Sequence, residues 1–120
     1  MLVIRREQMD VLKEHVLAGY IDRLVQHVRR AFPADYRALG ESAVRERVEQ
    51  AVARARELDI DAERDVARFV DMTFMAGPEF DREPWAQPIL EDTRSSASDR
   101  LRRVQVSAQR NARKRGRGRR

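Results

Sequence analysis

The sequence has no cysteine, no long apolar run and only seven aromatic residues. Without cysteine, disulfides, thiolate chemistry and cysteine-based zinc sites are excluded, and the composition fits a reducing compartment. No apolar run approaches the roughly 18 residues that cross a bilayer. The four apolar residues before Arg5 are too few for the core of a secretory signal. We therefore expect a soluble, cytoplasmic protein without a membrane partner.

Catalytic and metal-binding motifs are also missing. His15 and His27 are twelve residues apart, which separates them by roughly 120° around a helix, so they do not share one metal. The clustered serines, among them Ser96 and Ser98, precede a predicted helix, where capping explains them. There is no glycine-rich phosphate loop. We predict no metal, no cofactor and no enzymatic activity.

What the sequence does contain is helical periodicity. Apolar residues make up 42% of the chain and recur three and four residues apart, so the chain folds despite its 38% of charged residues. The predicted fold class is all-α, a compact bundle of three main helices plus a short one, followed by a C-terminal helix and a basic tail. The helices of the bundle are predicted over residues 6–32, 33–40, 42–58 and 62–76.

Single residues predict how these helices start, stop and bend. Pro33 ends the first helix, and Gly40 closes the short one. Gly19 separates two apolar sets within the first helix, which indicates a bend or a close helix contact. Asp61 is the expected N-cap of the helix that follows it.

The C-terminal part is predicted to stand apart from the body. We expect a helical domain over 1–94, a weakly amphipathic helix over 95–113 that begins with a Ser96 capping box, and a disordered Arg/Gly tail over 114–120. Residues 100–120 hold ten Lys/Arg and no acid, so the net charge of +5 leaves −5 on the rest of the chain.

The basic tail has two interpretations. It is a solvated arm that touches an acidic surface, or it contacts nucleic-acid phosphates in a salt-sensitive way. A helix-turn-helix is not predicted, because the would-be recognition helix carries Asp65 and Asp71, which phosphates repel. The candidate electrostatic contacts are Arg110, Arg113, Lys114, Arg115, Arg117, Arg119 and Arg120.

Residues 77–94 form the most informative segment. A stretch that contains Phe80, Trp85 and three prolines is held in place, either as a hydrophobic latch on the core or as an anchor for a protein partner. The last helix is expected to pack lightly or to lie in a partner's groove. The candidate partner-binding residues are Met72, Met75, Phe80, Trp85, Leu101 and Val104.

The residue order from Leu58 onward resembles that of small helical proteins encoded beside spike and effector genes of bacterial type VI secretion systems. The matching residues are Glu63-Arg64-Asp65-Val66, Phe69-Val70-Asp71-Met72, Phe74, Gly77, Phe80-Asp81, Pro84-Trp85-Ala86 and Ile89-Leu90, with Phe32-Pro33 and Leu39-Gly40 upstream. The chain departs from this pattern at Arg5, where a Ser or Thr cap is expected, and in its Arg-rich end.

The resemblance implies a context and supplies no catalytic residue. We therefore expect a non-enzymatic, chaperone-like adaptor in the bacterial cytoplasm that binds a type VI effector or spike protein. Two alternatives remain open at this point. The protein acts on nucleic acid through its tail, or it is an immunity protein that neutralises a toxin.

Overall fold

The computed structural model describes the backbone from Arg6 to Arg117 and the side chains of residues 16–112. Within that range every regular element is helical, which confirms the predicted all-α class. One 3₁₀ turn, Phe80–Arg82, lies between α4 and α5. The helices are α1 Arg6–Ala31, α2 Pro33–Leu39, α3 Glu41–Glu57, α4 Glu63–Ala76, α5 Gln87–Leu90 and α6 Ala97–Arg117.

The contacts divide the chain inside α3. The first unit ends at Glu49 and the second begins at Gln50. The boundary predicted after residue 94 lies inside the second unit, in which α6 packs against α4 and α5. Helix α6 also continues four residues past the predicted end at 113, and residues 118–120 of the predicted tail lie outside the described residues.

In the first unit, the later of the two apolar sets of α1 forms the core. Ile21, Leu24, Val25 and Val28 are buried, whereas Val16 of the earlier set is 70% exposed. Among the described residues no packing contact requires glycine at 19, since a Cβ there would come no nearer than 3.8 Å to the Arg23 side chain. Of the two alternatives predicted for Gly19, the described residues show no close helix contact, and a bend stays a prediction.

The predicted boundaries of α2 are confirmed. Pro33 occupies its first turn, where the missing N–H costs nothing. Gly40 follows the helix with φ 85°, a backbone conformation that glycine adopts without strain, and its N–H donates to the Tyr36 carbonyl at 2.9 Å. Between α1 and α3, Arg45 donates to the Asp22 carboxylate.

Helix α3 ends in a left-handed turn at Asp59. The Asp59 N–H donates to the Arg56 carbonyl, and the Ile60 N–H reaches back to Ala55 at 2.9 Å, which is the Schellman pattern. Asp59 has φ 59° at the position where glycine is usual, and Ile60 is fully buried behind it. Asp61 does not cap α4 as predicted, because the helix begins one residue later, with Ala62 at the cap position and no side-chain bond.

The core of the second unit joins residues that are distant in the sequence. The largest buried side chains come from the α3–α4 turn, from α4, from the 3₁₀ turn, from α5 and from α6. They are Ile60, Phe69, Phe80, Leu90, Leu101 and Val104. Helix α6 begins as predicted, with the Asp99 N–H donating to Ser96 Oγ at 3.1 Å.

Candidate functional site

Three of the four aromatic residues of the second unit, Phe69, Phe80 and Trp85, form a stack in which burial decreases from the first two to the last. Phe69 on α4 and Phe80 on the 3₁₀ turn have ring centroids 5.1 Å apart, with planes tilted by 51°. Trp85 lies next to Phe80 with centroids 6.4 Å apart and planes inclined by 29°. Phe69 and Phe80 are buried, whereas Trp85 is half-buried. The stack therefore leads from the core to the surface and ends in an indole that solvent reaches.

A partly buried ion pair holds the segment that carries this stack. Asp81, in the 3₁₀ turn, is buried and accepts a hydrogen bond from Arg54 Nε at 2.5 Å. Arg54 also donates to Glu57 at 2.8 Å. The hydrogen bond to Asp81, and then that to Glu57, raises the pKa of Arg54. Arg54 of α3 thus fixes the 3₁₀ turn that contains Phe80, so the aromatic segment has a defined position on the second unit.

The structure separates the predicted partner-binding residues into two groups. Met72 and Phe80 are buried, and so are Leu101 and Val104 of α6. These four belong to the core, so of the two alternatives predicted for α6 the structure shows packing, with Leu101 and Val104 buried and not left for a partner's groove. Helix α6 packs on α4 and α5 through that same apolar stripe.

The other two candidates stay accessible. Met75 in the last turn of α4 is 57% exposed, and Trp85 is half-buried. Ten residues separate them in the sequence, and the turn that starts at Gly77 joins them, with the Phe80 N–H donating to the Gly77 carbonyl at 3.1 Å. We call these two accessible residues, Met75 and Trp85, together the apolar contact face.

The tail candidates lie on or beyond the end of α6. Arg110 is exposed. Positions 113, 114, 115 and 117 belong to the helical backbone of α6, and positions 119 and 120 lie outside the described residues. The cations up to 117 are therefore carried on a helix that begins in the core.

A buried polar cluster at the start of α6 was not foreseen. Arg100 is only 4% exposed, and its Nη1 donates to the Leu58 carbonyl at 2.9 Å and to the Leu90 carbonyl. Ser98 donates to both carboxylate oxygens of the buried Asp65, at 2.9 and 3.1 Å. These bonds tie the turn after α3, the end of α5 and the first turn of α4 to α6.

The hydrogen bonds of this buried polar cluster connect parts of the fold to one another. Arg100 Nε is buried with no hydrogen-bond partner among the described residues, and its other contacts are backbone carbonyls. Within the side chains from 16 to 112, no group of three or more His, Asp or Glu residues is placed to hold a metal ion. Also within the described part, no helix is long and apolar enough to cross a membrane.

Asp92 forms a surface ion pair cluster after α5. Arg94 donates to its carboxylate at 3.0 Å and Arg103 approaches it at 3.5 Å, beside a pocket that Pro88 and Ile89 also line. The hydrogen bond from the Arg94 side chain is the main cause that lowers the pKa of Asp92, and Arg103 adds to it.

We predict that Arg94→Gln raises the pKa of Asp92 toward its ordinary value, as measured by carboxyl NMR titration. Because the pKa of Asp92 is lower in the folded chain than in the unfolded chain, the ionised carboxylate stabilises the fold at pH values above the unfolded-state pKa, which is about 4. This stabilisation is lost as the pH falls through the folded-state pKa. The stability difference between wild type and Asp92→Asn should therefore be largest at neutral pH and vanish in acid. Arg82→Gln, which removes a pair with Glu79, is the control and should leave Asp92 unchanged. A constant difference at every pH contradicts the prediction.

No protein-family model matches this chain, and no curated protein or solved structure is significantly similar to it. The type VI resemblance rests on the residue pattern of the sequence.

Proposed function

We propose that this protein is a non-enzymatic adaptor of the bacterial cytoplasm that binds an effector or a spike component of a type VI secretion system. The observation that carries the binding role is the apolar contact face. Met75 exposes more than half of its surface on a helix whose neighbouring residues Met72 and Thr73 are buried. Trp85, the second accessible residue of the proposed face, lies at the outer end of an aromatic stack.

The physical setting of this face suits protein binding. Trp is enriched among residues that dominate binding energies, and Met adapts its shape to irregular surfaces. The Phe80 ring stacks against the Trp85 indole on the buried side of the stack, and the Arg54–Asp81 ion pair fixes the 3₁₀ turn. The Trp85 part of the face is therefore already fixed and loses little conformational freedom on association, so more of its contact energy is retained as affinity.

The secretion context comes from the residue order over residues 63–90. Three of its elements are the residues that build the face and its support, namely Phe69, Phe80-Asp81 and Trp85. On this proposal, the residue pattern shared with the type VI proteins specifies an aromatic segment that is fixed to the core. The effector or spike protein then supplies the apolar surface that covers Met75 and Trp85.

The test measures binding of the full chain to the purified products of the effector and spike genes that neighbour its own gene, by calorimetry. Met75→Lys should weaken binding at least tenfold, which corresponds to about 1.4 kcal/mol. Leu39→Lys, at another exposed apolar residue, is the matched control and should bind as wild type does. Equal affinities for wild type and Met75→Lys contradict the proposed face.

A cell-based measurement separates the adaptor from the immunity protein. Deletion of the gene should reduce export of the effector without making the producing cell sensitive to it. Sensitivity to the effector with unchanged export would identify an immunity protein and would overturn the adaptor role.

A further inference from the structure

Helix α6 consists of an anchored half and an accessible half. Arg100, Leu101 and Val104 fix its start in the core of the second unit. From residue 105 to 112, the last described side chain, no residue is buried, and the helical backbone continues to Arg117. At 1.5 Å per residue, the 13 residues after Val104 make a helical arm of roughly 20 Å.

The helical register gathers cations on one side of this arm. Positions 110, 113, 114 and 117 follow the i, i+3, i+4, i+7 pattern, and with 100° per residue they occupy about 100° of arc. All four are Arg or Lys. The buried positions 100, 101 and 104 are centred roughly 130° away around the helix. We call the four positions the cationic face.

The sequence offers no acid along the arm to neutralise these charges. Asp99 is the one acid of α6, and it accepts a hydrogen bond from Arg102 at 3.0 Å. From residue 100 onward there are ten cations and no acid, whereas the preceding part of the chain has a net charge of −5. A polyanion is therefore attracted to the arm and repelled by the remainder of the protein.

We propose that the cationic face of α6 binds the phosphates of duplex DNA independently of base sequence. An α-helix fits the major groove of B-DNA, which is about 12 Å wide, whereas the major groove of A-form RNA is too narrow to admit it. Single strands are usually held by aromatic stacking, and no aromatic residue follows Trp85.

An acidic protein surface is a poorer occupant of the same face. Protein interfaces depend on a few large apolar or aromatic anchors. On the cationic side of the arm, Val106 is the one large apolar residue among the described side chains, and it is 44% exposed. The dense, evenly repeated charge of a phosphate backbone matches four cations over two helical turns more closely. This site shares no residue with the apolar contact face, so the two proposals fail independently.

The test uses fluorescence anisotropy of the full chain with a 24-base-pair mixed-sequence DNA duplex over a salt series. Four phosphate contacts predict a slope of about −4 in log affinity against log salt concentration. The variant R110Q/R113Q/K114Q/R117Q should have a slope shallower by about three to four. The matched control R30Q/R56Q/R64Q/R68Q makes the same charge change at exposed residues of the body and should keep the wild-type slope.

A second variant tests whether the helix itself is required. Ala112→Pro keeps every charge but breaks the helix between positions 110 and 113, and it should weaken duplex binding at least fivefold. Ala112→Ser is its control and should bind as wild type does. The proposal is overturned if Ala112→Pro binds with wild-type affinity or if both four-residue variants lose the slope equally. It is also overturned if duplex RNA, single-stranded DNA or poly-glutamate binds as tightly as duplex DNA.

Discussion

Replacing Phe80 by alanine is expected to lower the free energy of unfolding by about 3–5 kcal/mol, one of the largest losses available to a single substitution in this chain. Phe80 is 1% exposed and contacts Phe69 on one side and Trp85 on the other. The loss combines the transfer of a large ring, the cavity that remains and two aromatic contacts. Urea denaturation followed by circular dichroism measures it.

The control for this prediction is Trp85→Ala. Trp85 is half-buried and lies at the outer end of the stack, so its removal leaves an indentation at the surface instead of an enclosed cavity. We expect it to cost clearly less stability than Phe80→Ala. If the two variants lose equal stability, Phe80 is not the buried centre of the aromatic segment.

Replacing Arg100 by alanine is expected to cost about 2–4 kcal/mol. The guanidinium donates to the Leu58 and Leu90 carbonyls in the interior, and each buried acceptor that loses its donor costs on the order of 1–3 kcal/mol. The aliphatic part of the side chain is also buried, which adds a packing loss. The same urea denaturation experiment gives the difference from wild type.

Arg102→Ala is the matched control, because Arg102 is two residues away on the same helix, is exposed and pairs with Asp99 at the surface. Exposed pairs of this kind contribute about 0–1 kcal/mol. Arg100→Lys adds a second comparison: the ammonium group has enough donors for both carbonyls but sits on a shorter side chain, so we expect it to restore only part of the loss. Losses of similar size for Arg100→Ala and Arg102→Ala would contradict the assigned role of Arg100.

The helices themselves were predictable because their signals are local. Apolar spacing predicted the long helices to within a few residues at their described ends, and Pro33, Gly40 and Ser96 indicated where helices begin or end. These residues act through backbone geometry and capping, which depend on near neighbours in the sequence. The end of α3 followed the same local logic, but with Asp59 in the left-handed conformation where glycine is the recognisable signal.

The roles of the α6 residues were not predictable, because they depend on contacts between distant segments. Arg100 is one of ten cations after residue 99, and nothing in its immediate neighbours distinguishes the buried one. Leu101 and Val104 were too few to predict a core helix. They are buried where α6 packs on α4 and α5, beside Arg100 and Ser98, which satisfy polar groups on other elements. The sequence predicted Met72, Met75, Phe80 and Trp85 together as partner-binding residues. Only the folded chain shows that Met75 and Trp85 are accessible and that Met72 and Phe80 are buried.

The place where the contacts divide the chain has a consequence for how its two parts can be exchanged or isolated. The division lies between Glu49 and Gln50, in the middle of a continuous helix rather than in a loop. Cleavage at that point would remove about four intrahelical hydrogen bonds and leave two helix ends without caps. Recombination that transfers either part to another protein must therefore carry α3 whole, and the same holds for any fragment prepared for study.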